Sequence, residues 1–274
     1  MRERDQVPRS QTGLKFIMKM GPLGGVGKKL ARLPVLDRVL GPLFWNERNL
    51  DATYVPVGEE VEVPQGSVLP RTLIAELLEA ASHRFILDSC LCRTQSHCES
   101  YPVSYGCIFL GDAATQINPK MGREVGPAEA LEHADRGASL GLLPCIVHSS
   151  FDAFMLGIKS YEKMLAVCFC CNCCCAFRTD MKKGPEAYRD RITRLPGLTV
   201  AAIGDCALCE KCVRACSFAA IKMGRDGPVF EDFCKGCGRC ALACPRHNIK
   251  VRLDPDVETR DILMRRISAR TDIG

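Results

Sequence analysis

A cysteine rhythm late in the chain constrains this sequence more than any other feature. Residues 206–216 read Cys206-Ala-Leu-Cys209-Glu-Lys-Cys212-Val-Arg-Ala-Cys216. Residues 234–245 read Cys234-Lys-Gly-Cys237-Gly-Arg-Cys240-Ala-Leu-Ala-Cys244-Pro245. Each is C-x2-C-x2-C-x3-C. Soft thiolates at such density are metal ligands first. Three cysteines two residues apart can curl around three corners of a four-iron cube. A fourth, placed beyond the first turn of a helix, cannot reach back to the same cube and serves another. Structural zinc is the competing reading, because two CxxC pairs make a tetrahedral S4 site. Zinc, however, requires neither the third nor the fourth cysteine of each half.

The run resembles the ligand segments of bacterial two-cluster ferredoxins. That resemblance implies one [4Fe–4S] cluster on Cys206, Cys209, Cys212 and Cys244, and a second on Cys234, Cys237, Cys240 and Cys216. One departure is Ser217, which follows Cys216 where the family usually has proline. It loosens the turn and leaves all eight thiolates in place. Between the halves, residues 220–223 and 228–231 flank Gly224-Arg-Asp-Gly227 and predict a hairpin. Ile249-Lys-Val251 repeats the extended pattern after the second half. These small apolar runs would cover clusters from water, one lever on their potential.

A ferredoxin module accounts for about a fifth of an ordinary chain of this length, and the chain has 274 residues. Of its 19 cysteines, eleven lie outside the motif. A secreted disulfide protein would be shorter and would carry a signal peptide. Here the first apolar run, Phe16-Ile17-Met18, is broken by Lys15 and Lys19. No stretch reaches the roughly 20 apolar residues of a membrane span. The expected compartment is therefore reducing and cytoplasmic, and so many thiolates suit an anaerobe. The net charge of +5 belongs to a basic arm at residues 1–50. Within it Leu30, Leu33, Leu36, Val39 and Leu40 recur at helical spacing. Such a helix could make peripheral membrane contact through residues 14–45 or dock a partner, although a solvated arm is the plainer reading. The glycines around Gly24-Gly25-Val-Gly27-Lys28 do not make a phosphate loop, since Pro22 and Lys29 occupy required positions.

Along the chain, residues 53–64 alternate apolar and acidic, with prolines limiting them to an edge strand. Residues 70–88 predict a helix opened by Pro70, with Leu73, Ile74, Leu77, Leu78 and Ala81 on one face. Further helices are expected after Gly126-Pro127, over Phe151–Cys168 and over Pro185–Leu195, and a strand over Thr199–Ile203. The fold class expected is α+β. A basic arm (1–50) and a mainly helical cysteine-rich domain (51–198) precede a ferredoxin-like two-cluster domain (199–255) and a C-terminal helix or tail (256–274).

A second field of cysteines carries Cys90-Leu-Cys92-Arg93, Cys98, Cys107 and the run Cys168-Phe-Cys170-Cys171-Asn-Cys173-Cys174-Cys175. Core packing explains one or two cysteines, not six in eight residues. Metal or cluster binding is the better account. Cys168-x2-Cys171-x2-Cys174 repeats the ferredoxin spacing, and Cys170 and Cys173 form an overlapping pair. Residues 70–250 also resemble an uncharacterised group of anaerobe iron–sulfur proteins that join CxCR and CNCCxCC-like segments to a two-cluster ferredoxin. The resemblance supplies architecture and no reaction, and Phe169 stands where the group often has its first asparagine. One arrangement places Cys168, Cys171 and Cys174 with one of Cys92, Cys98 or Cys107. The other gives Cys90, Cys92, Cys98 and Cys107 a site of their own. A third cluster or a zinc ion is the implied occupant. Arg93 either donates to a cluster or pairs with Asp88. His97, His133 and His148 read as satisfied histidines, and Cys145 as a small buried residue.

The function expected is electron transfer through iron–sulfur clusters to or from a partner oxidoreductase, with a flavin- or corrinoid-dependent partner as the candidate, rather than stand-alone catalysis. The alternative is a reductase with its active site in the second cysteine field, or a metal-handling protein. No dinucleotide fingerprint follows a strand, and the basic arm lacks the features of nucleic-acid recognition.

Overall fold

A computed structural model describes residue 13 and residues 45–56, 61–62, 70–183 and 186–273. The basic arm, its amphipathic pattern and the glycine-rich stretch therefore lie outside the described residues, apart from Gly13 and the arm's last few positions.

The chain opens with β1 (Leu50–Tyr54), β2 (Val61–Glu62) and helix α1 (Pro70–Ala80), followed by β3 (Arg84–Leu87) and α2 (Leu91–Gln95). Next come β4 (Ile108–Leu110), β5 (Gly122–Glu124), α3 (Pro127–Ser139), β6 (Leu143–Ser149), α4 (Ser150–Leu156) and β7 (Leu165–Cys170). Then follow α5 (Ala176–Lys183), α6 (Glu186–Asp190), β8 (Ile192–Arg194) and β9 (Leu198–Ala202). The last part holds α7 (Lys211–Ala215), β10 (Ile221–Met223), β11 (Pro228–Phe230), α8 (Arg239–Ala243), β12 (Ile249–Leu253) and α9 (Thr259–Ser268).

The middle of the chain is built on a seven-stranded sheet of order β5-β3-β4-β7-β6-β1-β8, with β1–β8 parallel and the other pairings antiparallel. This corrects the expectation of a mainly helical domain. The expected helices over 70–88, 151–168 and 185–195 each stop early, and a strand follows. α1 ends at Ala80, α4 is closed by Gly157 in the left-handed region at φ 77°, and α6 ends at Asp190. The physical reason is burial. Phe85-Ile86-Leu87, Ile108-Phe109-Leu110 and Leu165-Ala166-Val167 are covered on both faces, so they lack the alternation that marks a half-exposed strand. A short continuous apolar run cannot be told from a buried helix by period alone. Of the edge strand expected over 53–64, residues 53–54 belong to β1, which lies inside the sheet between β6 and β8, whereas β2 at 61–62 is an edge strand, paired with β12.

Other elements follow their local chemistry. Pro127 opens α3 after Gly126, as suits a residue without a donor at the first helical position. Leu73, Ile74, Leu77 and Leu78 of α1 are all buried, each contributing on the order of 1.5–3 kcal/mol. A second sheet, β2-β12-β9, and the β10–β11 hairpin complete the C-terminal part. α9 returns to the large sheet, where Arg266 and Arg270 both reach Asp51 at 3.3 and 3.2 Å. No helix among the described residues is long and apolar enough to cross a membrane.

Candidate metal centres

The C-terminal cysteines sit on two copies of one backbone path. Leu208, Glu210 and Ala219 adopt positive φ in the first copy, and Gly236, Gly238 and His247 do so in the second. Each pair is separated by 28 residues, as are Cys206 and Cys234, Cys209 and Cys237, Cys212 and Cys240, and Cys216 and Cys244. In both copies a left-handed residue immediately precedes a short helix, α7 after Glu210 and α8 after Gly238. The left-handed turns reverse the chain within each loop, so successive cysteines face a common point.

Cys206, Cys209, Cys212 and Cys244 line one cavity together with Ala202, Met223, Pro228 and Ile249. It holds about 420 Å³ of space between the atoms, open side included. The Leu208 amide donates to Cys206 Sγ at 3.3 Å. Cys216, Cys234, Cys237 and Cys240 form the second group. Burial pushes the thiols of Cys234, Cys237 and Cys240 up, and each also feels the charge of Cys216.

The second field resolves into two sets. β6 and β7 place Cys145 opposite Cys168, and Cys170, two residues on, shares that face. The loop from Asp88 to Cys107 folds against them. Its ends are tied by Leu87 N to Cys107 O at 3.0 Å and Cys90 N to Val103 O at 2.9 Å. Only glycine fits at position 106, since a Cβ there would lie 2.0 Å from the Leu87 carbonyl oxygen. Cys90, Cys92, Cys107, Cys168, Cys170 and Cys175 thereby surround one cavity with Leu87, Phe109, Phe169 and Phe177. By the same measure it holds about 450 Å³, close to the cavity lined by Cys206, Cys209, Cys212 and Cys244.

These buried thiols shift one another. The neighbouring Cys107 and Cys92 thiols pull the Cys90 thiol down to about 3. The thiol contact with Cys175 pushes Cys92 well above the usual thiol value, and the contact with Cys168 does the same to Cys107. Such a set cannot ionise together without a cationic occupant. The donor set and the cavity size both fit an iron–sulfur cluster.

Two arginines supply the fixed positive charge. Arg93 is the largest fully buried side chain, 1% exposed. Its Nε donates to Pro102 O at 3.0 Å and Nη1 to Phe169 O at 2.8 Å, while Nη2 donates to Tyr105 O. It does not pair with Asp88; it holds the cysteine loop to the end of β7. Arg178, 2% exposed, donates Nη1 to Cys171 O at 2.7 Å and lies over the Phe218 ring at 5.3 Å. Its charge is also felt by Cys237, and its Nε and Nη2 have no partner among the described residues. Arg178 thus joins the two cysteine regions, as does Ser217 Oγ, 3.5 Å from Asn172 O.

The other set is superficial. After β7 the chain turns, and Cys171, Cys173 and Cys174 leave the cavity side to meet Cys98. Their four sulfurs lie within 4.8 Å of one another. Burial opposes ionisation of Cys171, yet its thiol is lowered because the backbone N–H groups of Cys174 and Cys173 point at it. Cys98 is lowered likewise against burial, by the Cys174 thiol and the Ser100 amide. Cys171 also borders the buried cavity.

Of the first sequence arrangement the structure brings together Cys98, Cys171 and Cys174, and of the second Cys90, Cys92 and Cys107. Cys168 stays on the strand face, away from Cys98, Cys173 and Cys174, so the C-x2-C-x2-C spacing does not act as a unit. Cys98 separates from Cys90, Cys92 and Cys107. His148 and His133 hydrogen-bond to backbone carbonyls. His148 Nδ1 and Nε2 face the carbonyls of Met164 and Arg48 at 2.8 and 3.1 Å. His133 bonds Gly106 O at 3.0 Å and stacks on Tyr105 at 4.2 Å. His97, with φ 50°, forms the turn into Cys98. Cys145 is buried beside Cys170. Sequence reasoning missed Arg178 and the cavity residue Asp152, whose carboxyl burial raises to about 7. No local pattern marks either one.

Among known protein families, a 4Fe–4S binding domain matches residues 228–250. That segment contains Cys234, Cys237, Cys240 and Cys244. No curated protein and no solved structure matches the chain.

Proposed function

We propose that this chain is an electron-transfer protein with two [4Fe–4S] clusters in its C-terminal module and a third cluster in the buried cavity of the large sheet. The ligands proposed are Cys206, Cys209, Cys212 and Cys244 for one cluster, and Cys234, Cys237, Cys240 and Cys216 for the next. Cys90, Cys92, Cys107, Cys168, Cys170 and Cys175 supply the third. Residues 199–255 then form the ferredoxin-like domain, with the sheet-bearing region before it. The observation that carries the reading is the cavity at the sheet. It is lined by the six cysteines named and bordered by Cys171, and it is close in size to the cavity of the ferredoxin-type motif.

A cluster in each place supplies one-electron chemistry at a potential set by its surroundings. The chain's own residues do the rest. Phe109, Phe169 and Phe177 keep water from the buried thiols. Arg93 neutralises part of their charge without offering an acceptor or a labile proton. Arg178 places a second cation between the cavity region and Cys237. Electron donors or acceptors come from a partner protein.

A second reading, reduction of a substrate in the cavity, has one observation in its favour. Six thiols exceed the four corners of a cube, leaving two beside it. The test is iron and acid-labile sulfide on anaerobically purified protein, wild type against Cys168→Ser and Cys107→Ser. The wild type should carry about twelve of each and the variants about eight. Values of about eight in all three would sink the third cluster.

A further inference from the structure

The four superficial cysteines have a geometry that the buried six lack. Cys98 Sγ lies 3.6 Å from Cys173 Sγ, Cys171 Sγ 3.4 Å from Cys174 Sγ, and Cys173 Sγ 3.8 Å from Cys174 Sγ. A tetrahedral ion with metal–sulfur bonds of about 2.3 Å holds its ligands about 3.8 Å apart along each edge. A four-iron cube interposes an iron and a core sulfide between thiolates and spreads them much wider. The superficial set is thus the right size for one ion and too small for a cluster.

The backbone also prepares the set for a single ion. Cys171-x2-Cys174 forms a turn that brings their sulfurs to 3.4 Å. The left-handed turn at His97 swings Cys98 across to it, and Ser96 Oγ meets Cys174 O at 3.5 Å. Cys173 is exposed and Cys98 and Cys174 are half-buried, whereas the cavity thiols are walled by phenylalanines. A small ion with a closed shell of four ligands tolerates that exposure.

We infer that Cys98, Cys171, Cys173 and Cys174 bind one tetrahedral tetrathiolate ion, zinc or ferrous iron, separate from any iron–sulfur cluster. The inference is independent of the third cluster, because it concerns metal without sulfide. The ion would clamp the loop after α2 to the turn after β7. That turn meets the C-terminal module at Asn172 and Ser217.

The test uses full-length, cluster-loaded protein prepared without oxygen. Total zinc and iron are compared with acid-labile sulfide in the wild type, Cys173→Ser and Cys98→Ser. The wild type should hold about one ion beyond the iron that sulfide accounts for, and each variant should lose that ion and keep its sulfide. Zinc in that excess makes the site a clamp; iron makes it redox-active. Added Co2+ exchanged into the wild type should give the intense charge-transfer bands of a tetrathiolate, absent from the variants. Loss of sulfide in step with the ion would assign these cysteines to a cluster and overturn the inference. So would the absence of both excess metal and a cobalt band in the wild type, which would leave free thiols. Should a variant fail to fold, the wild-type ratio and cobalt spectrum still decide the matter. Failure of the third cluster would lower sulfide and leave this ratio untouched.

Discussion

The C-terminal module and the large sheet both gather cysteines, but by opposite means. In the module the gathering is local. Cys206, Cys209 and Cys212 come from one loop, and a second copy of the loop repeats the path with matching positive-φ turns. In the sheet it is a property of tertiary structure. Cys90 and Cys92 come from a loop and a one-turn helix, Cys107 from the approach to β4, Cys168 and Cys170 from β7, and Cys175 from the start of α5. A motif records the first kind of site in sequence spacing. The second kind is recorded only in which face of a strand each residue occupies.

The hardest test of this contrast is Arg93→Met. In the module Asn248 and Arg246 each donate to the one carbonyl of Asp205 beside Cys206, whereas Arg93 ties Pro102, Phe169 and Tyr105 to one guanidinium. Removing it leaves three carbonyls short of a buried donor, at about 1–3 kcal/mol each before compensation. Denaturant unfolding should show a loss of at least about 3 kcal/mol, with the iron of the module retained on the folded fraction. A loss under about 1 kcal/mol would mean that the loop is held by its cysteines alone.

A smaller effect separates the two copies within the module. Leu208 holds a left-handed conformation that Gly236 holds in the other copy, at φ 49° and 63°. Leu208→Gly should stabilise by up to about 1 kcal/mol, since left-handed φ costs a branched residue roughly 1–2 kcal/mol. Gly236→Leu should do the reverse and more, because a Cβ there would stand 2.2 Å from Leu198 Cδ2. Equal and opposite changes at the two sites would show that backbone strain alone distinguishes the copies. A larger loss at 236 would show that packing against β9 does.

The smallest expected change reads the link between the two regions. Arg178→Met removes a cation near Cys237. A reduced cluster carries one more negative charge, so losing that cation disfavours reduction. The midpoint potential of the module should fall, on the order of tens of mV, measured by a reductive titration followed by electron paramagnetic resonance. An unchanged potential would confine Arg178 to its bond with Cys171.

These differences also explain what the sequence made legible. The hairpin of β10 and β11, and the strands β9 and β12, follow from turn residues and short extended runs. The helix after Gly126-Pro127 follows from its opening residues. The large sheet was not legible, because Phe85-Ile86-Leu87 and Leu165-Ala166-Val167 carry no alternation when both faces are covered. In the cysteine run the visible period of three, 168-171-174, misled. The strand's period of two holds through Cys170, and the chain then turns, so Cys168 and Cys170 line the cavity, Cys171 borders both sites, and Cys173 and Cys174 belong to the superficial set alone. Arg178 and Asp152 had no signal at all, since burial of a charge is decided by neighbours distant in sequence.

The pairing of Cys145 with Cys168 across β6 and β7 has one last consequence. Strand faces alternate with every residue, so a slip of one position would turn Cys168 and Cys170 away from the loop that carries Cys90 and Cys107. A chain paired in the wrong register would present no complete set of buried thiols to incoming iron. Were the proposed third cluster to form here, metal uptake at this sheet would reward only chains whose strands have already aligned correctly.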